Sequence, residues 1–215
     1  MFRKLGRRLR YGTLLRSLLR SLKPLLARMG LKMSLYYLHR AEFDEELCIE
    51  PKLEGVSKLV RLETSDVKAI CAVLGSLVTK AGVRRRLALG DRCGVIKHEG
   101  NIAGHIWWNE QKLSANRLSF SLKKDEAYIS DVYVVETYRG KRLGPYMNAQ
   151  LKTQLAQMGR TTVFGDTSFF NKPALKAWKK GNRRLLRLYL YVNLLNKVHW
   201  NFVLRNYASK GNYGD

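Results

Sequence analysis

Acidic side chains are scarce in this sequence. Its 215 residues carry 17 Asp and Glu against 40 Lys and Arg, a formal net charge of +23. No acid precedes Glu42, and eleven of the basic residues fall in that stretch. An imbalance of this size favours anionic partners. Cysteine is nearly missing: Cys48, Cys71 and Cys93 are odd in number and lack CxxC spacing. That excludes a disulfide framework and reads as free thiols in a reducing, cytoplasmic setting. His39, His98, His105 and His199 are scattered, so no zinc site and no resident metal is expected. No run approaches the ~20 apolar residues that span a bilayer, and no secretory h-region is present. The chain reads as soluble or peripheral on a membrane.

The basic start has a pattern. Seven leucines between Leu14 and Leu26 recur at helical spacing, while Arg16, Arg20 and Lys23 fall elsewhere. Residues 1–32 therefore read as a basic amphipathic helix or arm, with Pro24 kinking or dividing it. Four roles stand open for it: contact with an anionic membrane surface, docking on the domain or a second subunit, organelle targeting, or nucleic-acid binding. Residues 33–55 read as a connector, apolar and aromatic at Leu35-Tyr36-Tyr37-Leu38 and acidic from Glu42 to Glu50. The acidic patch is either a counter-charge to the arm or the rim of a cationic substrate pocket. A short tail, 208–215, closes the chain.

Beyond the connector the pattern alternates. Leu59 to Thr64 reads as a strand, and Ser65-Asp66 starts a helix with apolar spacing from Val67 to Val78. Gly94 to His98 and Ile102 to Trp108 read as strands joined by a tight turn at Glu99-Gly100-Asn101. Arg117 to Leu122 is a strand or an extension. Tyr128 to Val135 is a strand, Pro145 to Met158 a helix, Thr161 to Asp166 a strand and Asn171 to Lys180 a short helix. Two apolar runs, 184–192 and 198–205, bracket Asn193 to Lys197. Between the strand ending at Val135 and the next helix lies Tyr138-Arg139-Gly140-Lys141-Arg142-Leu143-Gly144. A glycine-bearing turn at a helix start aims backbone N–H groups at an anion. Arg139, Lys141 and Arg142 add positive charge, and the simplest ligand is a pyrophosphate.

That loop resembles the acyl-CoA-binding motif of the GNAT N-acetyltransferase superfamily, Gln/Arg-x-x-Gly-x-Gly/Ala. Arg139 fills its first position and Gly144 its last, and Arg142 stands where a glycine is usual. Asn171-Lys172-Pro173-Ala174-Leu175-Lys176-Ala177-Trp178 resembles the family's later helix, with Trp178 where many members carry a tyrosine acid. The likeness covers about residues 56–207. It implies an α/β fold with a mixed, mainly antiparallel central sheet flanked by helices. It also implies acetyl-CoA or another acyl-CoA as co-substrate, held by Val134, Val135, Arg139, Gly140, Lys141, Arg142, Leu143, Gly144 and Asn171. In the family a bulged central strand, here near Val134 and Val135, supplies N–H groups to the acyl carbonyl and pantetheine.

The chemistry implied is attack of a primary amine, borne by a small molecule, glycan or protein, on a thioester. A carboxylate can take the amine's proton, and Asp131 is the first candidate. Alternation places it with Tyr133, away from Val132 and Val134. Tyr133 is a candidate acid in place of the missing tyrosine. Glu136 stands where the family often has proline, His105 lies on a predicted strand near the substrate side, and Trp107 and Trp108 line the acceptor pocket or the core; all four carry structural readings as well. The rival class is a noncatalytic scaffold binding RNA, DNA or another polyanion, although no aromatic-plus-basic motif is present.

Overall fold

The computed structural model describes residues 26–28, 30–43, 49–63, 65–74, 79–179 and 183–207. The leucines from Leu14 to Leu25, Cys48, Leu77, Val78, Gly181, the tail and the Trp178 side chain lie outside the described residues. The described chain forms two compact units. One holds 39–166 with the described part of 177–184; the other holds 26–38, 167–176 and 185–207.

In the larger unit the strands are β2 (Val60–Arg61), β3 (Arg92–His98), β4 (Asn101–Asn109), β7 (Glu126–Val134) and the start of β8 (Thr162–Ser168). They neighbour one another in that order. All pairs are antiparallel except β7 with β8, which are parallel. The tight link between β3 and β4 comes from Glu99 and Gly100 at φ 49° and 77°, the backbone that suits a two-residue hairpin. A parallel pair needs a crossover, and helix α3 (Leu143–Gln157) provides it. Helices α1 (Asp66–Leu74) and α2 (Lys80–Ala88) precede β3. The Thr79 hydroxyl accepts the Gly82 N–H at 3.0 Å and so caps α2.

Both faces of this sheet are covered, which is why β4 is buried from Ile102 to Trp108. Ile96, Ile106, Trp108, Ala127 and Ile129 pack under Leu143, Met147, Leu151 and Leu155 of α3. That four-residue spacing makes one stripe along the helix. On the other face Val67 and Ile70 of α1 and Val83 of α2 cover Cys93, Val95 and Trp107. Gly104 of β4 lies against both α3 and β7. A Cβ there would stand 2.8 Å from Tyr133 O and 2.9 Å from Met147 Cε. Gly104→Ala is therefore expected to cost about 1–3 kcal/mol, read as a lower urea midpoint; an unchanged midpoint would show that the helix shifts freely.

A small hairpin, β5 (Lys112–Ala115) with β6 (Leu118–Ser121), turns at Asn116 and Arg117, both at positive φ. In the smaller unit β9 (Arg183–Leu194) pairs antiparallel with β10 (Val198–Asn206) and neighbours β1 (Leu31–Glu42). The Tyr36 ring stacks on Tyr189 at 5.2 Å and its hydroxyl donates to Asn201 Oδ1 at 2.8 Å. Helix α4 (Lys172–Lys179) completes the elements.

The mixed, mainly antiparallel architecture is the one expected. Details differ. The connector at 33–55 opens inside strand β1, because four successive apolar residues hide a period of two. The strand foreseen at Leu59–Thr64 shrinks to Val60–Arg61, whose side chains are exposed. Helix α2 went unseen because only Val83 on it is buried, leaving no apolar stripe to read.

Candidate active site

The turn between β7 and α3 builds an anion cradle. A short 3₁₀ turn, Glu136–Tyr138, leads to Gly140 at φ 80° and Arg142 at φ 61°, ψ 16°. Arg142 is the residue before α3, and its side chain makes no capping hydrogen bond. First-turn N–H groups have no partner inside a helix, so those of Leu143 and Gly144 remain available; Pro145 has none. No acid occupies this first turn. A cavity of about 330 Å³ opens here, lined by Val134, Tyr138, Arg139, Gly140, Arg142, Leu143, Gly144 and Pro145. Arg139 reaches Val134 O and Glu136 Oε1, each at 3.3 Å, and Lys141 Nζ lies 5.7 Å from the Tyr138 ring. Helix dipole, free amides and the cationic residues Arg139 and Arg142 thus meet at one concave place, with Lys141 in the same turn.

Beside the cradle, β7 has an open edge. Its register with β8 ends at Ile129↔Gly165, five residues before Val134. On the other side the Val135 N–H donates to Ala103 O at 3.0 Å. Donors alternate along a strand, so the Val134 N–H faces the side that β8 has left. Of the two amides expected to serve a ligand, Val134 is free to do so and Val135 is committed to the sheet. The bulge also lies earlier than expected. Trp107 opposes Ser130 and His105 opposes Tyr133, so Asp131 and Val132 together face Ile106. Asp131 takes φ 51° to make this possible.

The bulge has a chemical result. Successive strand side chains normally point to opposite faces, yet neighbours Ser130 and Asp131 both meet Arg86. Arg86 Nη1 lies 2.9 Å from Asp131 Oδ2, and Nη2 lies 3.1 Å from Ser130 Oγ. The same guanidinium donates from Nε to Asp91 at 3.0 Å and stands 4.0 Å over the Trp107 ring. His105 is buried, its ring stacked on Tyr133 at 5.5 Å. Its Nε2 stands 3.9 Å from Asp131 Oδ2, beyond hydrogen-bond length. His105 is the main influence holding the Asp131 carboxyl below the ordinary carboxylate range; partial burial opposes it and Arg86 adds to it.

Asp166 lies one residue past the last β7–β8 pair and behaves oppositely. Burial pushes its carboxyl up, the nearby Asp131 charge pushes the same way, and a hydrogen bond from the Tyr128 hydroxyl offsets only part. Two carboxylates in one region with divergent proton affinities divide naturally into a binder of charge and an acceptor of protons. Among the described residues no group of three His, Cys, Asp or Glu side chains is placed to hold a metal.

Of the residues foreseen, Val134, Arg139, Gly140, Arg142, Leu143 and Gly144 meet at the cavity. Lys141 sits in the same turn. Asp131 and Tyr133 lie together around His105. Asn171 belongs to the smaller unit, where its Oδ1 accepts the Ala174 N–H at 3.2 Å and caps α4. Glu136 is exposed. Three contributors escaped the sequence reading: Arg86, Tyr128 and Asp166.

The family model for the acetyltransferase (GNAT) family matches residues 75–182. Solved structures of similar shape include a GCN5-related N-acetyltransferase from Sphaerobacter thermophilus, with 13% identity over 80% of this chain and 55% of that one and a TM-score of 0.56. A tandem GNAT protein from the clavulanic acid biosynthesis pathway shows 16% identity over 83% of this chain and 57% of that one, TM-score 0.56. The glucosamine N-acetyltransferase region of a fungal multi-domain β-N-acetylglucosaminidase shows 15% identity over 84% and 23%, TM-score 0.57. This chain therefore spans less than two thirds of the length of these structures, and the likeness is one of fold. No curated protein matches the sequence.

Proposed function

The chain belongs to the acetyltransferase (GNAT) family, and from that premise we propose that it moves an acyl group from acyl-CoA, most simply acetyl-CoA, to a primary amine. The observation that carries this reading is the cavity at the start of α3, with the open edge of β7 beside it. The CoA pyrophosphate takes the Leu143 and Gly144 amides and the charges of Arg139, Lys141 and Arg142. The Val134 N–H polarises the acyl carbonyl, whose oxygen gains negative charge as the amine adds. Asp131 draws and orients the ammonium group. Asp166 takes the proton, the new C–N bond forms, and the C–S bond breaks. The departing thiolate takes a proton from Tyr133, and the tyrosinate regains one from the acylated nitrogen, which thereby sheds its second proton and becomes the neutral amide. No metal enters these steps.

Purified protein incubated with acetyl-labelled acetyl-CoA and fractions of cell extract is expected to label an amine-bearing compound. Absence of label, no calorimetric binding of acetyl-CoA, and RNA affinity falling steeply with salt would replace this reading with that of a polyanion-binding scaffold.

A further inference from the structure

Arg86 is anchored before it reaches the acceptor side. It sits in the last turn of α2, and the Asp91 N–H, just past the helix, donates to its carbonyl at 3.0 Å. The Asp91 carboxylate accepts from Arg86 Nε on one oxygen and from Asn109 Nδ2, at 2.9 Å, on the other. Asn109 is buried at the end of β4, and its own Oδ1 accepts the Gln111 and Lys112 N–H groups at 2.8 and 3.0 Å. The guanidinium plane lies over the buried Trp107 ring. Only its outer end, Nη1 and Nη2, reaches β7, at Asp131 Oδ2 and Ser130 Oγ.

A surface ion pair contributes little when two long side chains must first be ordered. Asp91 and Trp107 already order this one, and the planar fork arrives with its donors set. The fork's two acceptors belong to consecutive residues. They stand on one side of the sheet only because Asp131 and Val132 together face Ile106. In a regular strand they would diverge, and one N–H would lose its acceptor. Asp131, at φ 51°, holds a conformation that residues other than glycine keep only where the surroundings fix it. We infer that Arg86 is a positioning residue: its fork selects the bulged register of β7 and aims the Asp131 carboxylate at the acceptor amine. The first half concerns the fold alone; the second rests on the acyl-transfer reading. Position and charge act oppositely here. Without the guanidinium charge, Asp131 would attract an ammonium group more strongly. Without the fork, the carboxylate would be misplaced and would hold it less well.

Arg86→Gln and Arg86→Lys, made in the full chain, separate the two. Glutamine lacks both charge and fork; lysine keeps the charge alone. NMR gives the three-bond HN–Hα coupling of Asp131, which reports its φ, and in both variants the coupling is expected to shift toward the value of an extended residue. With butylamine as acceptor, the KM of the amine is expected to rise about tenfold, the loss expected for one charge-assisted hydrogen bond, with the KM of acetyl-CoA unchanged. An unchanged coupling in both variants overturns the inference. So does an amine KM that falls in Arg86→Gln, or a lysine variant that matches the parent, since charge would then suffice. If neither variant folds, Asp91→Asn loosens the anchor behind the fork; a smaller shift of the same coupling supports the inference and no shift overturns it. If the parent protein acylates no butylamine, the coupling alone decides the role of Arg86, so a failed transfer reading stays distinct from a failed positioning role.

Discussion

Asp166→Asn is expected to lower kcat by about 10²–10⁴-fold, the range for loss of a positioned general base. The side-chain shape is kept, and the amide oxygen still accepts from the Tyr128 hydroxyl. A folding defect is therefore not the expected cause, and stability should move the other way. The folded carboxyl is pushed above its ordinary value of 3.8, so the unfolded chain ionises more readily. Stability falls as pH rises from the ordinary value through the raised one, and the penalty persists above it. Asparagine removes that penalty, so at neutral pH the variant should melt at an equal or higher temperature while turning over far more slowly. In the parent protein kcat should climb with pH as Asp166 ionises, and the variant should lose that limb. A variant with parental kcat and an unchanged pH profile removes Asp166 as base. Asp131 cannot supply such a limb near neutrality, because its carboxyl is held below the ordinary range.

Arg139→Ala with Lys141→Ala should weaken acetyl-CoA binding by about ten- to a hundredfold, as expected when charged donors to phosphate are lost. Arg139 is about half exposed, so the difference should narrow as ionic strength rises. Main-chain donors at Leu143 and Gly144 remain, and weaker binding should persist rather than vanish. The fold should be unaffected, since neither side chain contributes to the packed clusters. Isothermal calorimetry at two salt concentrations decides the matter. Unaltered affinity would remove the pyrophosphate from this turn, whatever the identity of the acceptor.

Legibility in the sequence followed locality. The cradle could be read because its parts are neighbours: Arg139, Lys141, Arg142 and Gly144 stand within six positions between a strand and a helix. The Asn171 cap is equally local, its partner Ala174 standing three positions on. Arg86 could not be read. It lies on α2, a helix without an apolar stripe, and its partners Ser130 and Asp131 are 44 and 45 residues away. Asp166 looked like the polar end of a strand. Only its burial and its pairing with Tyr128, 38 residues distant, distinguish it. The bulge at Asp131 was misplaced because alternation assumes a constant register, and one extra residue changes the frame without changing the composition.

That extra residue makes the acceptor side a matter of counting. In a regular β7, Ser130 and its successor would diverge, and the Asp131 carboxylate would be turned toward the helix α3 side. Shortening the strand by deleting Val132 should therefore silence the chemistry more thoroughly than many substitutions, with every ionisable group still in the chain.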